Sequence, residues 1–318
     1  MKNRILVTGG MGFIGGRVAQ SLAKRDDALI ILGSRTLNAS SHWLPSAEVV
    51  TMDWRCPKNL ALICDRIDTI VHTAGLNDAE CMKDPVAALE VNAVNTARLM
   101  EAAKLAGVKR VIYISTIHVY GHNLIGQIDE SALTQSRHPY ATSHRAAEDV
   151  VLSFSNFNLE GIILRLSNGF GVPAHPAVNV WTLLINELCR QAVTLRSMTL
   201  HSAGLQYRDF ITLEDVSRVV IHMIGLPKSK ISGGIFNVGS GKSTQIIAMA
   251  KLIQIRCTEL LGYTPKIHHP PPDIDDKIFN FDYKIDKLIE TGFYLTGNQE
   301  LEIDNILQMC NDFFLNAS

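Results

Sequence analysis

Residues 1–16 read Met-Lys-Asn-Arg-Ile-Leu-Val-Thr-Gly-Gly-Met-Gly-Phe-Ile-Gly-Gly, and this stretch decides the fold. Ile5, Leu6 and Val7 form a short aliphatic run that reads as a buried strand. Thr8 to Gly15 reads as a tight glycine turn, and Phe13 to Ala23 as an amphipathic helix. A strand that breaks into glycines and then into a helix aims bare backbone N–H groups and a helix N-terminus at one point, which suits a pyrophosphate. Gly9 permits the turn, Gly12 lets the phosphates approach the backbone, and Gly15 lets helix and strand pack closely. With Phe13 and Ile14 at the helix start, these glycines are candidate cofactor contacts. Glycine spacing alone fits a plain β–α turn as well. Its position between strand and helix is what favours a dinucleotide site.

The chain has 318 residues, enough for one large domain or two smaller ones. Its net charge of −1 offers no field for nucleic acid or an anionic membrane, so neither partner is expected. No apolar run is long enough to span a bilayer, and the first strand starts too early for a signal peptide. The six cysteines (Cys56, Cys64, Cys81, Cys189, Cys257 and Cys310) are scattered, with no C-x-x-C pair. That pattern fits reduced thiols in a cytoplasmic protein and gives no metal framework.

Further strands follow at Ala28–Leu32, Glu48–Met52, Thr69–His72, Arg110–Ser115 and Gly161–Leu166. Strands alternating with helices predict an α/β fold with a Rossmann-type doubly wound parallel sheet. The second strand runs into Gly33-Ser34-Arg35, with no acidic residue to hold a ribose 2′-hydroxyl. Ser34 offers a hydroxyl and Arg35 a fork of donors for a phosphate, so NADP(H) is expected ahead of NAD(H). The other reading makes Arg35 a solvated loop residue. Asp53, which can accept from an adenine amino group, and Trp54 close the third strand, and Thr73-Ala74-Gly75 follow the fourth with side chains small enough for a cofactor to lie over the sheet. Pro85 to Ala106 reads as one long helix between Pro85 and Gly107, with Asn92 inside it as a polar bridge or cofactor contact. Tyr140 and His144 are four apart and share a helical face.

The chain resembles the extended short-chain dehydrogenase/reductases, in the NAD-dependent epimerase/dehydratase group that acts on nucleotide sugars. The resemblance rests on Thr8-Gly9-x-x-Gly12-x-x-Gly15, Asp53, His72-x-Ala74-Gly75, Asn92, Ser115-Thr116, Val119-Tyr120-Gly121, Pro139-Tyr140, Leu164-Arg-Leu-Ser-Asn168, Arg208-Asp209-Phe210 and Phe236-Asn-Val-Gly239. These pieces occur in family order over nearly the whole length. The resemblance makes Tyr140 the catalytic acid or base and Thr116 the hydroxyl that polarises the reacting oxygen. A lysine four residues after the tyrosine normally lowers its pKa and holds the nicotinamide ribose, and here His144 stands in that place. A neutral histidine pulls less on a phenol than an ammonium does, which hinders a dehydrogenase more than a reductase.

Further roles follow from the same resemblance. Leu166 lies by the nicotinamide, Asn168 touches the substrate phosphates, and Arg208 clamps the diphosphate, unless it forms an internal ion pair with Asp209 or Glu214. Family dehydratases carry two acids after the threonine, whereas this chain has Ile117 and His118, so dehydration is disfavoured. His118 either contacts the substrate as an acid/base group or packs under the Tyr120 loop. The stretch Gly239-Ser-Gly241-Lys242-Ser243 is no phosphate loop, because Phe236 stands where the first glycine belongs. Residues 268–273 carry no second diphosphate arginine, which leaves Arg196 or a histidine for that task.

The expected organisation is a dinucleotide-binding domain over 1–170 plus about 208–238. A smaller substrate-binding α/β lobe then covers about 171–207 plus 239–318, with a helix over Val180–Arg190. A homodimer through the helices Pro85–Ala106 and Tyr140–Phe157 is implied by the resemblance. The expected activity is NADPH-dependent reduction of a keto sugar, nucleotide-linked, in polysaccharide or deoxysugar biosynthesis. The alternatives are an epimerase that retains its cofactor and a non-catalytic NADP-binding sensor or scaffold.

Overall fold

The computed structural model describes residues 2–36, 41–121, 124–156, 158–231, 233–273 and 279–315. Seven strands form the large sheet: β1 (Asn3–Thr8), β2 (Ala28–Ser34), β3 (Glu48–Thr51), β4 (Thr69–His72), β5 (Arg110–Thr116), β6 (Glu160–Leu166) and β7 (Ile235–Val238). All neighbours are parallel, in the order β7-β6-β5-β4-β1-β2-β3. The order reverses between β1 and β4, so a crevice opens at the carboxyl ends of the strands there.

Side-chain alternation decides which face each residue covers. Ile5, Val7, Ile30, Leu32, Ile112, Ile114, Ile162 and Leu164 face one side, packed with Val18 and Leu22 of the helix Phe13–Ala23 and Val216 and Val220 of the helix Leu213–Gly225. Leu6, Ile31, Ile70, Val111, Tyr113 and Ile163 face the other, under the helices Pro57–Cys64, Asn95–Ala106 and Pro139–Phe154. A third core gathers Ile185, Leu188, Cys189, Ile253, Cys257, Ile306 and Cys310 between the helices Leu184–Thr194, Ile246–Leu261 and Gln299–Phe314. Beside it, the strand Tyr207–Thr212 lies between Asn168–Phe170 and Ser243–Gln245. The chain then returns: Phe281–Tyr283 pairs with Gly126–Ile128, and Leu288 and Phe293 join the core under the large sheet.

Three helices differ from the expectation. Residues 85–106 are not one α-helix but an α-turn at Pro85–Ala88, a π-helical stretch at Leu89–Val94 and an α-helix at Asn95–Ala106. The π stretch accompanies an inward-facing Asn92. Its Oδ1 accepts from the Leu76 N–H at 2.8 Å and its Nδ2 donates to Ser143 Oγ at 2.9 Å. The helix expected over Val180–Arg190 begins at Leu184, because Leu183 N–H closes a turn on Val180 O and Asn179 Oδ1 takes the Trp181 N–H. The helix expected to reach Phe157 ends at Phe154, where Ser155 becomes extended; Phe157 itself lies outside the described residues.

The helix Pro139–Phe154 is bolted to the sheet by polar pairs set among apolar contacts. Tyr113 Oη meets His144 Nδ1 at 2.7 Å, and Ser115 Oγ donates to Glu148 Oε1 at 2.6 Å. Glu148 also receives Arg165 Nε at 2.9 Å and Nη2 at 2.7 Å, both side chains being buried. Glu148→Gln removes the charge that balances Arg165 and should cost about 3–5 kcal/mol in urea denaturation. Replacing both residues by apolar ones of similar volume should recover most of that loss.

Candidate active site

The glycine turn is held in a shape that only glycine permits at its tightest points. Gly9 has φ +66°, and a Cβ there would stand 2.8 Å from the Ala74 nitrogen. A Cβ on Gly15 would strike the Gly9 carbonyl oxygen and Thr73 Oγ1. The backbone of β1 therefore lies directly against that of Thr73-Ala74, and Thr73 Oγ1 donates to Thr8 O at 2.7 Å. Gly12 precedes the helix Phe13–Ala23 with no side-chain cap and no acidic residue in the first turn. The N–H groups and positive helix end are left for an external anion. This backbone cradle fits the pyrophosphate of a dinucleotide.

Beyond the ends of β2 and β3, a cavity of about 360 Å³ is lined by Arg35, Asp53, Trp54, Arg55, Glu90 and Asn95 among others. The structure thus brings Arg35, Asp53 and Trp54 around one cavity. Arg55 was missed in the sequence, although its place just after Asp53-Trp54 was the available signal. Ser34 turns away from this role: its Oγ accepts from Thr36 N–H at 3.0 Å and lies beside Thr36 O. Asn92 is likewise sealed at 1 % exposure, with its amide used on Leu76 and Ser143. It positions the chain after Gly75 and the first turn of the Tyr140 helix and does not line the cleft.

At the far end of the crevice, Thr116 closes β5 beside Leu166, the last residue of β6. Tyr140 enters on the first turn of its helix, whose N-cap His138 accepts the Tyr140 N–H. The Tyr140 ring lies 4.5 Å from that of His144 and 6.1 Å from that of His118, both edge-on. Thr116, His118, Tyr140 and His144 therefore form one cluster. Burial pushes the Tyr140 phenol up to about 12, against a hydrogen bond from Thr116 that pulls it down. Burial, with a smaller contribution from His118, lowers His144 to about 4.

Behind this cluster His72 is also held neutral. Burial, aided by His144, lowers it to about 3. Thr96 donates its proton to Asn92 O, so its oxygen accepts from His72 Nε2–H at 2.9 Å, and His72 Nδ1 accepts from Thr8 Oγ1 at 2.6 Å. The ring thereby ties β4 to the strand that opens the glycine turn.

On the smaller sheet, Asn168 Nδ2 donates to Asp209 O at 2.9 Å. Asp209 is buried and caps the turn after β7, accepting from Ser240 N–H at 2.8 Å, Ser240 Oγ at 2.9 Å and Lys242 N–H at 3.1 Å. Glu214 faces Arg17 at 3.6 Å. Neither carboxylate pairs with Arg208, whose guanidinium contacts only the Tyr207 carbonyl among the described residues. The internal ion pair open to Arg208 from sequence is thus not formed, and partial burial lowers its pKa. Arg196, the other candidate cation, instead lies over the Tyr263 ring at 4.7 Å.

The model of the NAD dependent epimerase/dehydratase family matches residues 5–239. The mouse dTDP-D-glucose 4,6-dehydratase is 32 % identical over 270 residues, covering 79 % of this chain and 72 % of its own. A putative UDP-glucose 4-epimerase from Methanocaldococcus jannaschii is 26 % identical over 257 residues, covering 79 % of this chain and 81 % of its own. MoeE5, solved in complex with UDP-glucose and NAD, superposes with a TM-score of 0.78 at 24 % identity, covering 96 % of this chain and 97 % of its own. At that identity the likeness speaks for the fold.

Two outcomes follow from this geometry. Gly15→Ala should abolish saturable NAD(H) binding in a fluorescence titration, because the new methyl forces the Gly9 turn open. Acid should destabilise the fold through its neutral histidines. Both have folded pKa values below the unfolded 6.5, so the unfolded chain takes up protons first as pH falls. Their stabilisation is complete above pH 6.5 and is lost as pH falls to about 4 for His144 and about 3 for His72. Unfolding free energies from urea titrations at pH 7 and 4.5 should differ by about 2–3 kcal/mol per imidazole. His72→Asn should shrink that difference.

Proposed function

We propose that this chain, which belongs to the NAD-dependent epimerase/dehydratase family, is a nucleotide-sugar epimerase that keeps one nicotinamide dinucleotide through oxidation and re-reduction. Family membership makes it an enzyme of the extended short-chain dehydrogenase type. The observation that carries the choice of epimerase over dehydratase is the sequence after Thr116. Ile117 is buried with Val119 and Tyr120, and His118 faces Tyr140, where a dehydratase needs two acids. The reductase expected from sequence has less support, because the mouse and Methanocaldococcus jannaschii relatives are named as a dehydratase and a putative epimerase.

The bound dinucleotide supplies a hydride acceptor and, on return, a hydride donor. Tyr140 takes the proton of a sugar hydroxyl as the carbon beside it loses hydride, and Thr116 steadies the oxygen as it becomes a ketone. After the keto sugar turns its other face, Tyr140 returns the proton and the carbon centre is inverted. Arg208, free of any acidic partner among the described residues, holds the diphosphate so that the sugar can turn without leaving. The glycine cradle binds the dinucleotide, and Arg35 with Arg55 beside the cavity at β2 and β3 supports a preference for NADP(H) over NAD(H).

One observation favours a second reading. A phenol held at about 12 is fully protonated at neutral pH and is a ready proton donor, as a keto-sugar reductase requires. The deciding assay incubates the purified protein with UDP- and dTDP-hexoses, with and without added NADPH. Interconversion of C4 epimers without net change in nicotinamide absorbance is expected. Stoichiometric NADPH loss on a keto sugar would replace the epimerase reading by the reductase one. Tight dinucleotide binding without turnover would mark a non-catalytic sensor.

The pH profile separates the two roles of Tyr140. As base it must be ionised, so kcat/KM for epimerisation should climb steadily from pH 6 to 9; as acid it gives a flat profile over that range. Tyr140→Phe should reduce turnover about 10²–10⁴-fold with little change in dinucleotide affinity. Arg35→Ala should weaken NADP(H) more than NAD(H) in parallel titrations.

A further inference from the structure

We propose that Tyr113 is a positioning residue that fixes the proton of His144 on Nε2, so that a neutral N–H donor stands where the family's lysine presents an ammonium. The inference deepens the reading of Tyr140 and His144 as the reacting pair and rests on it.

The two residues meet because the strand and helix repeats nearly match. Tyr113 and Ser115 are two apart on β5, a rise of about 6.6–6.8 Å. His144 and Glu148 are four apart on the helix, a rise of about 6 Å. Tyr113 thus falls opposite His144 as Ser115 falls opposite Glu148, and the second pair is anchored by Arg165. The imidazole is held from behind by an element that moves with the sheet.

The direction of the Tyr113–His144 bond follows from counting protons. Tyr113 is 2 % exposed, and among the described residues its hydroxyl has one hydrogen-bond partner, His144 Nδ1, at 2.7 Å. If Nδ1 carried the proton, the phenol would accept it and its own hydrogen would be buried without an acceptor, an expensive arrangement. If the phenol donates, Nδ1 is the acceptor and the proton of the neutral ring must sit on Nε2. Burial pushes the Tyr113 phenol well above its ordinary value, so the donor is not lost at working pH. An imidazolium would need hydrogen on both nitrogens and would turn the phenol's proton away from its acceptor. The contact therefore selects one neutral tautomer and resists the cation.

Across the ring, Nε2 has no protein acceptor among the described residues, while the ring's edge contact is with Tyr140. An N–H there is available to a hydroxyl oxygen of a bound ribose or sugar. The chain keeps a hydrogen-bond donor at this position while giving up the positive charge.

The experiment uses the intact protein labelled with ¹⁵N-histidine and two-bond ¹⁵N–¹H correlation spectra, with His144→Gln to identify the signals. In the unmodified protein His144 should show a protonated Nε2 and a bare, hydrogen-bonded Nδ1, unchanged from pH 8 to pH 5. A proton on Nδ1, or an imidazolium at neutral pH, overturns the proposal. Tyr113→Phe should mix the tautomers and raise the His144 pKa; an unchanged spectrum overturns it too.

A double-mutant cycle with NAD as the probe reads the consequence. On the His144 background, Tyr113→Phe should weaken NAD binding about tenfold, the worth of one hydrogen bond. On a His144→Ala background the same change should cost nothing, since no ring nitrogen is left to accept from Tyr113. Equal losses on both backgrounds would mark Tyr113 as mere packing. Should Tyr113→Phe fail to fold, the spectrum of the unmodified protein still decides. Neither measurement contains a sugar substrate, so failure of the epimerase reading shows separately, as absent turnover with an intact His144 spectrum.

Discussion

A carboxylate buried against the sheet holds the reacting helix in place. Glu148 accepts from Ser115 on β5 and from two nitrogens of Arg165 on β6, while Arg145 of its own helix reaches it at 3.3 Å. An unpaired carboxylate in that position would be intolerable, so the helix has one rotation and one height at which the charge is satisfied. Apolar packing alone tolerates small slides of a helix over a sheet, and a charge fixed by directional donors does not. Tyr140 and His144 lie N-terminal to Glu148 on this helix, and their placement over Thr116 inherits that precision. Arg165 extends the hold through Tyr120, which it meets at 2.8 Å and which in turn donates to Asn237 on β7.

The polar groups between β1, β4 and the reacting helix follow the same rule of complete satisfaction. Thr8, His72, Thr96, Asn92 and Ser143 form a linked series of hydrogen bonds that runs from the glycine turn to the first turn of the Tyr140 helix. Each group is neutral, so little desolvation cost opposes the arrangement. The π-helical turn that carries Asn92 is part of this series. It breaks regular helix geometry where one side chain must serve both Leu76 and Ser143.

Among the described residues no fixed cation stands beside Tyr140. Desolvation raises the Tyr140 phenol and lowers the His144 imidazole, so both groups are neutral at ordinary pH. In the proposed reading, charge would enter the site only with its ligands, a diphosphate at Arg208 and a pyrophosphate over the glycine turn.

Much of this was legible in the sequence, for reasons local to the chain. The glycine turn, the strand ends at Asp53 and Ala74, and the spacing of Tyr140 and His144 are short-range patterns set by backbone sterics and helical period. They also singled out Arg35, Asp53 and Trp54, which the fold places around one cavity. Tertiary structure decided what depends on partners distant along the chain. Asn92 lies in a helix by pattern, but Leu76 and Ser143 determine that it bridges protein groups and stays out of the cleft. Ser34 bonds to the Thr36 backbone, and Arg208 has no acidic partner among the described residues, Asp209 instead capping the turn at Ser240. Tyr113 is, in the sequence, one residue of the strand Arg110–Ser115; only the register of β5 against the helix brings its hydroxyl opposite His144. A sequence displays which groups need partners, while the fold decides which partners they meet.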